Sequence, residues 1–89
     1  MNVYYDPAFY EKLKKVNVRI RKSLKERILL FSKNPNSPQL NNHALKRKYA
    51  EYRSIDITAD WRALYKEILV GDETAAYFVI LGTHNELYG

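Results

Sequence analysis

Apolar side chains in the first third of the chain fall at Phe9, Leu13, Val16, Ile20, Leu24, Ile28 and Phe31. Spacings of three and four draw one stripe along a helical surface, with Lys and Arg filling the rest of each turn. Asn17 divides this stripe and predicts two helices where one would otherwise run on. Ahead of them, NVYY (residues 2–5) is a short β-prone run closed by Asp6-Pro7. Asp caps a helix and Pro suits its first position, so a strand hands over directly to the first helix. Residues 32–42, SKNPNSPQLNN, hold two prolines, four asparagines and two serines. That density of turn formers predicts a surface loop after the helical region.

Beyond the loop the period changes from helical to two. In YRSIDIT, Ile55 and Ile57 share one face while Ser54, Asp56 and Thr58 share the other. WRALYKEILV and AAYFVIL follow as β-rich runs, separated by the turn formers Thr58-Ala59-Asp60 and Gly71-Asp72-Glu73. Two consecutive hairpins make an antiparallel meander. The predicted order is therefore β-α-α-β-β-β: a small two-layer α+β sandwich, with two N-terminal helices packed on one face of an antiparallel sheet. The pattern leaves open whether the first strand joins an edge or lies beside a later strand. It supplies no helix for the second face, where polar groups would be displayed on a rigid scaffold.

Eighty-nine residues suffice for one modest core, and a single domain spanning 1–89 is expected. A composition 46% hydrophobic and 28% charged excludes a disordered tail. There is no cysteine, hence neither a disulfide framework nor a thiolate metal site. MNVYYDPAFY has no basic region followed by an apolar segment, and no apolar run reaches membrane-spanning length. A soluble, cytoplasmic protein is the expectation. The net charge of +5 fits a polyanion such as nucleic acid and fits an acidic protein equally well.

Two histidines are present, His43 in NNHALKRKY and His84 in the terminal GTHNELYG. With no HExxH, no Cys and no carboxylates at ligand spacing, the sequence offers no metal set. It also lacks a glycine-flanked serine and a phosphate-cradling Gly-rich loop, so no cofactor or nucleotide is expected. Acid–base chemistry without metal remains. RNA carries its own nucleophile in the 2′-hydroxyl, and its cleavage needs a base, an acid for the leaving 5′-oxygen, and cations for the charged phosphorane. His43, Lys46, Arg53, Asp60, Arg62 and His84 could supply these, though the same inventory occurs on ordinary solvated surfaces. Trp61, beside Leu64 and Tyr65, reads as core packing, and the Lys12-Lys14-Lys15 and Arg19-Arg21-Lys22 clusters as a solvated face or a grip on RNA.

Taken together, HALKRKYAEYRSIDITADWRALYKE and FVILGTHNELYG resemble the RelE superfamily of bacterial toxins, particularly its YafQ-like branch. The matching pieces are HxLK in the loop, an arginine opening a strand, DW leading into RxLY, and a closing GTHxxLxG. The match in motif detail covers residues 42–89. The resemblance implies the toxin of a type II toxin–antitoxin pair, an mRNA interferase that cuts mRNA in the ribosomal decoding site without metal or cofactor. It implies three partners: a cognate antitoxin, the ribosome and mRNA. The toxin alone would be a monomer, assembling with antitoxin into a hetero-oligomer.

Carried over position by position, the resemblance makes His43, Asp60 and His84 the acid–base residues and Tyr88 the aromatic that positions a base or the leaving group. Lys46, Arg53 and Arg62 match basic positions set against RNA phosphate. In GTHNELYG, Gly82 would release the chain from the sheet, His84 would meet the scissile phosphate, and Tyr88 would close over it. One position departs from the pattern, since Asp56 stands where the YafQ-like branch has a further histidine. A carboxylate repels phosphate and holds less proton at neutral pH, so it is not an equivalent. Two alternatives follow: a non-catalytic toxin like the gyrase-directed ParE group, and a degenerate relative that binds antitoxin without cleaving RNA.

Overall fold

The Asp6 side chain accepts from the Ala8 amide at 2.9 Å and Pro7 takes the first helical position. Helix α1 (Pro7–Lys15) begins there, one residue after strand β1 (Asn2–Tyr5). Asn17 then caps α2 (Val18–Lys33) through its bond from the Ile20 amide, so the divided stripe yields two helices. The computed structural model describes all 89 residues, and the later elements are β2 (His43–Ala44), β3 (Arg53–Asp56), β4 (Trp61–Val70), β5 (Glu73–Thr83) and α3 (His84–Tyr88). No helix is long and apolar enough to cross a membrane.

The sheet order is β1-β5-β4-β3-β2. Strands β3, β4 and β5 form the expected meander, closed between β4 and β5 by Gly71, whose φ of +65° is natural for glycine at a two-residue hairpin turn. β1, however, pairs parallel with β5, Tyr5 beside Phe78, so the sheet is mixed and not purely antiparallel. Alternation in four residues cannot encode strand direction; crossing through two helices returns the chain to the sheet edge.

The stripe meets the sheet as its spacing predicts. Phe9, Val16, Leu24, Ile28 and Phe31 are buried against Ile55, Ala63, Tyr65, Ala76, Phe78 and Leu81. Phe78 is the hub: its ring centroid lies 5.9 Å from Phe9, 5.4 Å from Phe31 and 5.1 Å from Tyr65. Such edge-on and tilted pairs add to the area term of burial. Tyr65 pairs with Phe78 and Leu64 with Ile80, leaving Val79 without a partner. This bulge turns both Phe78 and Leu81 toward the helices.

The second face is not bare. Leu64 and Ser54 project from it and are fully buried. The loop between β2 and β3 and helix α3 lie on this face. Tyr49 of that loop sits edge-on to Tyr52 at 6.2 Å and to Tyr88 at 6.0 Å. Lys66 reaches out of β4 to Glu51 at 3.2 Å and over the Tyr52 ring. Two further expectations change. The HxLK motif, expected in a loop, begins in a two-residue strand, since His43 and Ala44 pair with Ser54 and Arg53. Gly82 does not release the chain: it lies inside β5, buried, and a Cβ there would stand 3.2 Å from the Leu87 side chain. Its missing side chain is what lets α3 lie down on the sheet.

Candidate functional site

Thr83 ends the sheet and starts α3 through a reciprocal cap. Its hydroxyl accepts from the Glu86 amide at 3.0 Å, and the Glu86 carboxylate accepts from the Thr83 amide at 2.8 Å. Glu86 also takes Lys12 of α1 at 3.0 Å. The Thr83 amide bond, and after it Lys12, hold the Glu86 carboxyl below its ordinary range. A five-residue helix has little stability of its own, and these contacts fix it.

His84 is the first residue of α3, and its amide donates to the carbonyl of Asp60 at 2.7 Å. Asp60 sits in the turn between β3 and β4, where Thr58 Oγ1 accepts from the amides of Asp60 and Trp61 at 3.2 and 3.1 Å. One turn after His84, Tyr88 sets its ring 4.9 Å from the imidazole at 64°, an edge contact. All three side chains are exposed. The structure therefore gathers Asp60, His84 and Tyr88 at one corner of the second face.

Tyr88 also lines a groove of about 520 Å³, with Lys46, Arg47, Lys48 and Tyr49 from the loop after β2 and Glu86, Leu87 and Gly89 from the end of the chain. Arg47 adopts φ +60°, a left-handed conformation that costs a side-chain-bearing residue roughly 1–2 kcal/mol. The kink occurs inside the basic run and leaves all three cations exposed. Lys46, Arg47 and Lys48 thus lie together in the groove that Tyr88 lines. The basic cluster was visible in the sequence, whereas its fold across the sheet onto Tyr88 was not.

His43 lies elsewhere on the same face. β2 is three strands from β5, roughly 14 Å across at normal strand spacing. Its Nδ1 stands 2.7 Å from the Asn41 carbonyl. A carbonyl only accepts, so Nδ1 carries the hydrogen and Nε2 of the neutral ring keeps its lone pair.

The other two predicted cations each bond within the fold. Arg53 pairs with Tyr65, on the helix-facing side of the sheet. Its Nε donates to Asn42 Oδ1 at 2.9 Å, while Asn42 Nδ2 donates to the Tyr65 hydroxyl at 2.8 Å and the Pro35 carbonyl at 2.9 Å. Asn42, unmarked in the sequence, is the node of that network. Arg62 does project from the second face, yet it is 15% exposed and bound to Asp56 and the backbone of the adjoining turn. Arg62 is thus turned from the phosphate-facing place expected of it, bound to carbonyl and carboxylate oxygens of its own fold, while Arg53 is held through Nε alone. No group of three His, Asp or Glu side chains is placed to hold a metal ion.

A scan of protein-family models finds no match to this chain, and a search of curated proteins by sequence finds none either. Solved structures do match. YafQ from E. coli strain BL21(DE3) is 25% identical with a TM-score of 0.76, over 99% of this chain and 98% of that one. A copper-bound mutant toxin from Helicobacter pylori is 28% identical with a TM-score of 0.65, over 99% of each. The E. coli DinJ–YafQ toxin–antitoxin complex matches at 24% identity and a TM-score of 0.73, over 99% of this chain and 97% of that one. The chain has the fold of RelE-superfamily toxins, with YafQ among its structural relatives, as the motifs led one to expect.

Proposed function

We propose that this protein is the toxin of a type II toxin–antitoxin pair and that it cleaves mRNA on the ribosome, in the cytoplasm, without a metal. The observation that carries the reading is the corner itself. The His84 imidazole meets the Tyr88 ring, the His84 amide bonds the carbonyl of Asp60, and Tyr88 lines a groove together with Lys46, Arg47 and Lys48. The 2′-hydroxyl of the RNA attacks the adjacent phosphorus as its proton passes to a base. The 5′-oxygen departs as it receives a proton from an acid, leaving a cyclic phosphate and a free 5′-hydroxyl. His84 and Asp60 exchange those protons. Tyr88 holds the imidazole edge-on and stacks the neighbouring base, and Lys46, Arg47 and Lys48 offset charge on the phosphorane and the flanking phosphates.

His43 is the outer member of the proposed site. Its free Nε2 meets RNA crossing the far side of the face, so replacing it costs less than replacing His84. Basic charge serves the antitoxin as well, and a partner of opposite charge laid over the groove would silence the toxin by occupying it.

The reading is tested by expressing the chain in bacteria and mapping transcript ends. Growth should stop, and new 5′ ends should appear within translated codons only. Normal growth with intact transcripts, or cuts in naked RNA to the same extent, would refute it. A gyrase-directed toxin would instead produce DNA damage with transcripts intact.

A further inference from the structure

Arg62, the second residue of β4, lies opposite Asp56 of β3, on the face where a cation was expected to meet phosphate. Its guanidinium is turned inward instead. Nε stands 3.0 Å from Asp56 Oδ1, off the line of a straight hydrogen bond, so that contact is chiefly coulombic. Nη1 donates to the carbonyls of Thr58, Ala59 and Trp61 at 2.9, 3.3 and 3.0 Å, and Nη2 to Ala59 at 3.3 Å. All three nitrogens are engaged, and Asp56 offsets their charge. To bind phosphate, Arg62 would first have to abandon the turn.

That turn is the one that carries Asp60, whose carbonyl takes the His84 amide at 2.7 Å. A continuous line of contacts therefore runs from Asp56 through Arg62 and the backbone of residues 58–61 to the first residue of α3. We infer that Asp56 and Arg62 are a positioning pair: they set the turn against which His84 is registered, and neither exchanges a proton with RNA nor binds its phosphates. The kinetic part of this inference rests on the cleavage reading above; its structural part does not. Lys could not replace Arg62, because one ammonium cannot reach three carbonyls and a carboxylate in a planar fork.

Amide exchange followed by NMR tests the structural part, and cleavage kinetics on programmed ribosomes test the rest. In Arg62→Lys and Arg62→Ala, protection of the His84 amide should fall at least about tenfold while the amides of the β4–β5 ladder keep theirs. The kcat should fall by about tenfold or more with KM and salt dependence held, since a lost phosphate contact would instead raise KM and flatten the salt slope. Asp56→Asn keeps an oxygen beside Nε; its kcat should stay within about tenfold of the parent and its pH–rate profile should keep both limbs. Unchanged His84 protection in both Arg62 variants overturns the inference, as does loss of the acidic limb in Asp56→Asn. If the parent protein cleaves no mRNA, the functional proposal fails while the exchange arm still decides this one.

Discussion

The amide of His84 donates to the carbonyl of Asp60 at 2.7 Å, joining the first residue of α3 to the turn between β3 and β4. Two residues far apart in the chain are thus registered through main-chain atoms, which leaves both side chains exposed and free to act. The placement of α3 accordingly decides whether the corner exists.

That placement should respond to acid. The Glu86 carboxyl lies below its ordinary value of 4.5 because it accepts the Thr83 amide and then Lys12. A lowered folded-state value means that the stabilisation is present above pH 4.5 and is lost as pH falls through the lowered value. As pH is lowered below 4.5, His84 and Tyr88 resonances should move toward random-coil positions before the core signals of Phe31 and Phe78 change. Glu86→Gln should abolish this early step. Simultaneous loss of helix and core signals would contradict the prediction.

Tyr88 acts through its ring. Tyr88→Phe keeps the edge contact with His84 and should retain cleavage within a few-fold, whereas Tyr88→Ala forfeits a contact of about 0.5–1.5 kcal/mol and should lose roughly tenfold. If Phe loses as much as Ala, the hydroxyl is chemical and the ring contact incidental.

The groove cations should behave as phosphate ligands. In Lys46→Gln with Lys48→Gln, affinity for programmed ribosomes should weaken and the slope of log affinity against log salt should decrease by about one per charge removed. An unaltered slope would place the nucleic acid elsewhere.

Arg53 should prove structural. Arg53→Gln and Asn42→Ala each disrupt the network to the Tyr65 hydroxyl and should lower stability by about 1–3 kcal/mol in urea unfolding, with the salt slope of binding preserved. A flattened slope at unchanged stability would return Arg53 to the RNA.

These contrasts show which physics a sequence carries openly. The helical stripe, the caps at Asp6 and Asn17 and the meander are local, each written in adjacent residues, and the structure follows them. The parallel docking of β1, the two-residue β2 and the approach of Tyr49 to Tyr88 and of Glu51 to Lys66 depend on contacts between distant segments, which periodicity does not record. At the site, residue type was legible and commitment was not. Arg62 reads as a free cation until the carbonyls of Thr58, Ala59 and Trp61 are seen around it. Asp56 likewise reads as a weakened base in place of a histidine until its partner is known. Gly82 reads as a point of backbone freedom, yet the structure uses its lack of bulk beneath Leu87.

The central claim is that His84 does proton-transfer chemistry at the corner it shares with Asp60, and single-turnover cleavage of mRNA on programmed ribosomes tests it most directly. His84→Ala should slow the cleavage step by about 10²–10⁴-fold, with ribosome binding kept, and His43→Ala should cost less. Cleavage by His84→Ala within about threefold of the parent rate would contradict the account.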